Sequence, residues 1–257
     1  MSGVVKYLFR AWTWRMCWRD SRMNRGRLLL FSLSIVLGVA ALAAVGSLGV
    51  NLERAVEEQA KTLLGADLSI SSREMFSTNE EHLFARLGGE QARQIAFNSM
   101  VYFPSGDGTR LAQVRMLSGG FPFYGQFETA PPSAVEEFRK GAGALVEENL
   151  LIQFDAKVGD TVKVGQLTVP IVGSLRKVPG ESAALALVSP RVYLPMKDLA
   201  ATQLEGRGSL ARYTVFFKFP AATNVDEMVK SIEPQLDKFA LWNETVSKRK
   251  QDLGRAM

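Results

Sequence analysis

Cysteine and histidine are almost missing from this 257-residue chain, which has one of each, Cys17 and His82. A single thiol allows no intrachain disulfide, so any folded part must be held by its own core. One histidine and one distant cysteine leave no material for a multi-histidine site or a Cys/His cluster. The short motifs that announce common chemistry are absent too. There is no G-x-S-x-G nucleophile elbow, no G-x-x-x-x-G-K-[ST] phosphate loop, no H-E-x-x-H and no complete G-x-G-x-x-G. Gly106-Asp107-Gly108 opens like a dinucleotide loop, but Leu111 stands at the last glycine position, and the tripeptide reads as a turn. His82, beside Glu80 and Glu81 and far from any nucleophile signature, reads as a surface residue. The adjacent carboxylates Glu136-Glu137 and Glu147-Glu148 point apart on a helix or a strand and read as solvated. No catalytic, cofactor-binding or metal-binding residue is therefore assigned, and the chain does not read as an enzyme. A Ser/Lys pair, whose members meet only in the fold, is an arrangement that spacing cannot test.

Charge also lacks the distribution of a nucleic-acid binder, despite a net +5 and a pI near 9.4. Residues 1–27 hold seven bases (Lys6, Arg10, Arg15, Arg19, Arg22, Arg25 and Arg27) against one acid, Asp20. Of the chain's 31 bases and 26 acids, that leaves 24 and 25 for everything after residue 27. A body so close to neutral has no bulk attraction for a phosphate backbone.

One long hydrophobic run is present. LLLFSLSIVLGVAALAAVGSLGV, residues 28–50, has neither charge nor proline and is bracketed by Arg27 and Glu53. As a helix it would be roughly 35 Å long, against about 30 Å of hydrocarbon, so it spans with some tilt. The rivals are a buried core helix and a cleavable signal peptide; the run is long for either, and 27 residues precede it. Beyond residue 50 the most apolar stretch, residues 183–190, is too short to cross a membrane, so the chain reads as single-pass. The basic excess before the span, with Glu53, Glu57 and Glu58 after it, puts the N-terminus in the cytoplasm. Within residues 4–20, Trp12, Trp14 and Trp18 stand among arginines. That composition suits a helix lying in the headgroup layer, the other reading being a loose basic leader that only sets topology. Ser34 with Gly38, and Ala40 with Ala44, are small-residue pairs that let a partner helix approach. Leu52, Val56, Ala60, Leu63 and Leu64 keep helical spacing past the span, and Gly65 is a natural stop. A helix continuous over residues 28–64 would be a rod of roughly 55 Å able to transmit movement.

The remainder reads as α+β. Residues 66–72 alternate like a strand, Thr78 offers an N-cap to a helix with Glu80 and Glu81 in its first turn, and residues 93–103 and 109–118 read as a hairpin around the turn 105–108. The pattern returns at residues 212–219 (strand), 224–239 (helix) and 241–246 (strand), the helix carrying Val225, Met228, Val229, Ile232 and Leu236 on one face. Two β-α-β units flanking an insertion predict a split ferredoxin-like layer. The insertion, residues 119–210, opens with GGFPFYGQFETAPPSA and then becomes β-rich. Residues 161–164 and 167–172 flank Gly165-Gln166, whose Gly-X order suits a type II′ hairpin, and Pro170 restricts the second strand to an edge or a strand end. A small second lobe with its own modest core is expected.

The order of these features carries a resemblance. A basic leader (RDSRMNRGR), one span, LLGADLSISS, VRMLSGGFPFYG and ALVEENLLIQFDAKVGDTVKVGQLTVPIVG follow one another as in the N-terminal part of FtsX/MacB-type permeases of ABC transporters, and the chain resembles the YbbP-like group among them. The resemblance covers residues 15–257. It implies a cytoplasmic basic leader (1–27), a transmembrane helix (28–50), a periplasmic stalk (51–65), a split α+β lobe (66–118 and 211–247) with an inserted β-rich lobe (119–210), and the start of a return helix (248–257). It also implies an inner-membrane location with the main domain periplasmic. The implied partners are a cytoplasmic ABC ATPase subunit, further permease helices or a second permease copy, membrane lipid and a periplasmic partner protein; neither cofactor nor nucleic acid is implied. Such permeases act on lipids, lipoproteins or other hydrophobic substrates. They continue with further spans that this sequence does not contain, so the expectation is a permease subunit or its N-terminal portion. The runner-up is a single-pass sensor or scaffold with a ligand- or protein-binding external domain, and a membrane-anchored hydrolase is third.

Overall fold

The computed structural model describes residues 15–16, 18–19, 25–179, 189–204 and 211–256. The chain divides into two compact units, Met1–Ala55 and Val56–Met257. The first unit is helical where it is described. Helix α1 runs Arg25–Leu64, passing from the first unit into the second, and its apolar window is 0% buried. Phe31 and Leu42 are 74% and 77% exposed. So dense a coat of bare apolar side chains is unsuited to water and suited to hydrocarbon. Among the described residues it is the one helix long and apolar enough to cross a membrane. The expected headgroup helix over residues 4–20 lies outside the described residues, except Arg15, Met16, Trp18 and Arg19, which are helical and exposed.

The second unit begins with β1 (Leu68–Ser72), α2 (Thr78–Leu87), β2 (Glu90–Phe103) and β3 (Gly108–Ser118). It ends with β9 (Arg212–Lys218), α6 (Val225–Lys238), β10 (Trp242–Thr245) and α7 (Val246–Ala256). The strand order β10-β1-β9-β2, antiparallel at every step, is that of a ferredoxin-like sheet whose two β-α-β halves have been parted by an insertion. Alternation places Leu68, Ile70, Val215 and Phe217 on one face, where they pack against Leu83 and Phe84 of α2 and Val229, Ile232 and Leu236 of α6. The ring of Phe84 meets Phe217 edge-on at 5.8 Å. The cap of α2 is Ser77 rather than the expected Thr78, which is already helical; the Glu80 carboxylate accepts from the Ser77 backbone N–H, closing a capping box one residue earlier.

The insertion supplies β4 (Glu128–Ala130), α3 (Ala134–Arg139), β5 (Ala144–Glu147), α4 (Glu148–Gln153), β6 (Thr161–Val164), β7 (Leu167–Lys177), β8 (Arg191–Pro195) and the short α5 (Leu199–Thr202). Gly165 has φ +61 and Gln166 is not left-handed, as the expected type II′ turn requires. β7 is longer than expected. It continues through Pro170, paired there with Thr161 of β6, and takes up β5 from Ile171 onward, so the missing N–H falls where the strand changes partners.

The expected lobe with its own core is replaced by a shared one. β8 pairs parallel to β3, β5 pairs with β8 and β7, and β6 pairs with both β7 and β2, so β2-β3-β8-β5-β7-β6 form a ring closed by hydrogen bonds. Its interior holds Val101 and Phe103 from β2, Val114 from β3, Val146 from β5, Val162 from β6, Ile171 from β7 and Val192 from β8. β2 thus serves the ferredoxin-like sheet through residues 90–96, paired with β9, and the six-stranded barrel through its later residues, where β6 joins it, with β3 along its other edge from Arg93 on.

Candidate functional site

A cavity lies where the two terminal helices of the second unit meet the ferredoxin-like layer. It has a volume of about 750 Å³ and is bounded by Glu57 and Lys61 of α1, the β9–α6 loop, and Ser247 and Lys250 of α7. Its geometry follows from how each helix is rooted.

Gly65 ends α1 with φ +69, its N–H donating to the Lys61 carbonyl at 2.8 Å, as the sequence predicted. A Cβ there would come within 2.8 Å of the Phe121 ring, which is itself stacked on Phe216 with centroids 4.0 Å apart. Gly65→Ala is therefore expected to cost about 1–2 kcal/mol from the left-handed backbone and the displaced ring, measured by chemical denaturation. Two residues on, Asp67 is 8% exposed and accepts from the Tyr124 hydroxyl at 2.9 Å and from the Phe219 N–H at 2.8 Å. One carboxylate thus ties the loop after β3 and the end of β9 to the root of α1. Desolvation first, then the hydrogen bond to Asp67 and its charge, push the Tyr124 phenol up to about 12. The protonated phenol is the donor, so its contribution is complete below the unfolded value near 10 and is lost as pH rises through about 12. A phenolate absorbance titration should show a late step that disappears in Tyr124→Phe.

The second root is built the same way. Asp226, in the first turn of α6, accepts from the hydroxyls of Ser247 and Thr245, and Thr245 Oγ1 accepts in turn from the Lys248 N–H at 3.2 Å. That last bond is an N-cap on α7, so Asp226 holds the cap that starts the helix. Between the two roots, Glu57 pairs with Lys61 at 2.9 Å. The Lys61 hydrogen bond and the Lys61 charge hold the Glu57 carboxyl below its usual range against desolvation, the Lys250 charge from α7 adding the least. Lys61, Lys218 and Lys250 balance Glu57, Asp67 and Asp226 around it, and each of these carboxylates has a hydrogen-bonded partner, which suits a joint better than a reaction centre.

The residues weighed in the sequence fall elsewhere. His82, Glu136 and Glu137 are exposed, as expected. Gly106-Asp107-Gly108 is a turn with Asp107 left-handed and accepting from the Tyr102 hydroxyl at 2.8 Å. Glu147 corrects its expectation. It is buried, accepting from Arg191 Nη2 at 3.0 Å and from the Arg191 backbone N–H at 2.8 Å, while Glu148 is partly exposed and pairs with Arg176 at 3.1 Å. Adjacent side chains do point apart, and here that turned one of the two inward. Asp67 and Asp226 were missed. Each sits beside a predicted element end, and a lone acid there reads as ordinary charge until its partners, 57 and 152 residues from Asp67, are known. No group of three or more potential metal ligands occurs among the described residues.

The structure thus joins one membrane-length helix to an α+β unit whose terminal helices line a charged cavity. The chain belongs to the family of the MacB-like periplasmic core domain, whose model matches residues 28–235. It is 28% identical over 237 residues to the uncharacterized ABC transporter permease YbbP of Escherichia coli (strain K12). The alignment covers 91% of this chain but only 28% of that protein's length. Among solved structures it is similar to the periplasmic region of MacB from Actinobacillus actinomycetemcomitans (10% identity, TM-score 0.46, covering 75% of this chain and 94% of that one). It is also similar to the extracellular domain of the noncanonic ABC-type transporter YknZ from Gram-positive bacteria (10% identity, TM-score 0.39, covering 66% and 88%).

Proposed function

We propose that the chain is a permease subunit of an ABC transporter, or the N-terminal portion of one, seated in the bacterial inner membrane with its N-terminus cytoplasmic and its α+β unit periplasmic. A cytoplasmic ATPase subunit supplies the drive, and α1, with further permease helices or a second permease copy, carries it to the external domain, which exports or extracts a lipid, lipoprotein or other hydrophobic substrate. The observation that carries this reading is the family match over residues 28–235 in a chain whose membrane-length helix continues to Leu64. The joint supports it: α1 and α7 are each rooted by a single carboxylate beside one cavity, so a displacement of either helix would be felt first at Asp67 or Asp226. The small-residue pairs Ser34/Gly38 and Ala40/Ala44 give partner helices a face, and a Cβ at Gly38 would meet nothing within 4 Å in this chain. The chain itself performs no chemical step in this reading.

The test is capture of the tagged protein, expressed from its native locus and solubilised in mild detergent. Recovery of an ATP-binding subunit with a Walker A loop, and a change with ATP in the distance between spin labels at positions 57 and 250, are the expected results. Recovery of a kinase without any ATP-binding transport subunit would replace the permease reading with that of a sensor.

A further inference from the structure

On the sheet face opposite α2 and α6, strand register assembles a row of positive charge. β1 pairs Ser71 with Thr214 and Ser72 with Tyr213, so the next step of the same register faces Arg73 with Arg212. Arg212 lies opposite Ala96 of β2, Ala96 opposite Arg115 of β3, and Arg115 beside Tyr193 of β8. Three arginines share one row, with an alanine as the gap. The next row on the same face is Trp242, Ser71, Thr214 and Gln94, and neither row contains an acid.

Like charges placed opposite each other on neighbouring strands repel. Arg73 and Arg212 are both exposed and have no ion pair among the described residues, although acids and bases after residue 27 are almost equal in number. Both line a hollow of about 370 Å³ together with Ser71, Trp242 and Lys248. Of the two acids at its rim, Glu244 is engaged by Arg249 at 2.9 Å, which leaves Asp252. Trp242 is 52% exposed, and the Arg73 guanidinium stands 5.2 Å from its ring centroid, so the indole forms a flat wall beside the charge. The third guanidinium, of Arg115, donates to Gln113 Oε1 at 2.8 Å and to the Tyr193 hydroxyl at 3.0 Å, which fixes its position.

We infer that this row is a binding site for a phosphate group, held between Arg73 and Arg212 with Trp242 alongside. Two guanidinium forks side by side match an acceptor with three or more oxygens and close to two negative charges; one carboxylate would neutralise only one of them. The site stands on register and charge alone and does not depend on the transport reading. Its phosphate can come from a lipid headgroup or from a soluble phosphate ester, chemistry the two sources share.

The experiment uses the full chain in phosphatidylcholine nanodiscs with Trp12→Phe, Trp14→Phe and Trp18→Phe, leaving Trp242 as the one indole. Inorganic phosphate titrated against chloride at constant ionic strength should give a saturable change in Trp242 emission. Arg212→Gln, an exposed position whose fold is checked by circular dichroism, should weaken the apparent affinity by about tenfold or more, the loss of a charge-assisted hydrogen bond. If discs containing phosphatidic acid abolish the response to added phosphate, the natural source is a headgroup; if the response persists in them, the source is soluble. Either result supports the site. An equal response to chloride and phosphate, or an Arg212→Gln titration that overlays the parent, would overturn it.

Discussion

Asp67→Ala is expected to destabilise the second unit by about 3 kcal/mol, because it removes two charge-assisted hydrogen bonds and leaves a buried donor, the Phe219 N–H, with nothing to bond. Asp67→Asn should retain part of the stability, since an amide oxygen can still accept one of the two bonds while its NH₂ faces the other donor. Denaturant unfolding measures the total. Amide exchange tests the location: protection should fall at Phe219 and in residues 121–125 before it falls in α2 or α6. Uniform loss across the unit would mean that Asp67 supports the fold in general and not the root of α1 in particular.

The other large effect is expected at Glu147 and Arg191, whose side chains are 8% and 5% exposed. Glu147→Leu alone or Arg191→Met alone should cost about 3–5 kcal/mol, because either strands a charge in the interior. The double variant Glu147→Leu, Arg191→Met should recover much of that loss, since burying an ion pair gains little over burying apolar groups of similar volume. A double-mutant cycle read by denaturation decides the point. Additive single costs would show that the two residues act independently despite their 3.0 Å contact.

The ferredoxin-like half was legible in the sequence because its signals are local. Residues 66–72 alternate in sequence, residues 212–219 are rich in β-branched and aromatic side chains, α6 repeats its apolar residues at three and four, and Gly65 stands where a helix must turn left-handed. The barrel was legible only as a hairpin. Its closure depends on β6 finding β2 through Val164 and Val101, residues 63 apart, and no local pattern encodes such a pairing. Pro170 was read as marking an edge or a strand end, and it is the first that holds: the strand passes through it with β6 on one side and, among the described residues, no partner on the other, β5 joining only from Ile171. At the joint, the lone acids Asp67 and Asp226 looked like surface charge. Their roles appear only once Tyr124, Phe219, Thr245 and Ser247 are brought to them.

The ring of strands is uneven in a way that bears on how the unit breathes. β2 and β3 are joined through eleven residue pairs, yet β6 meets β2 through two, Val101 with Val164 and Tyr102 with Lys163, and β5 meets β8 through two, Leu145 with Tyr193 and Val146 with Val192. A hoop parts at its shortest welds. Local opening should begin at these two seams, letting solvent reach the barrel interior at Val101, Val146, Val164 and Val192 while the long hairpin stays intact. β2, β3 and β8 would then act as the fixed spine, and β5, β6 and β7 as the side that swings away from it.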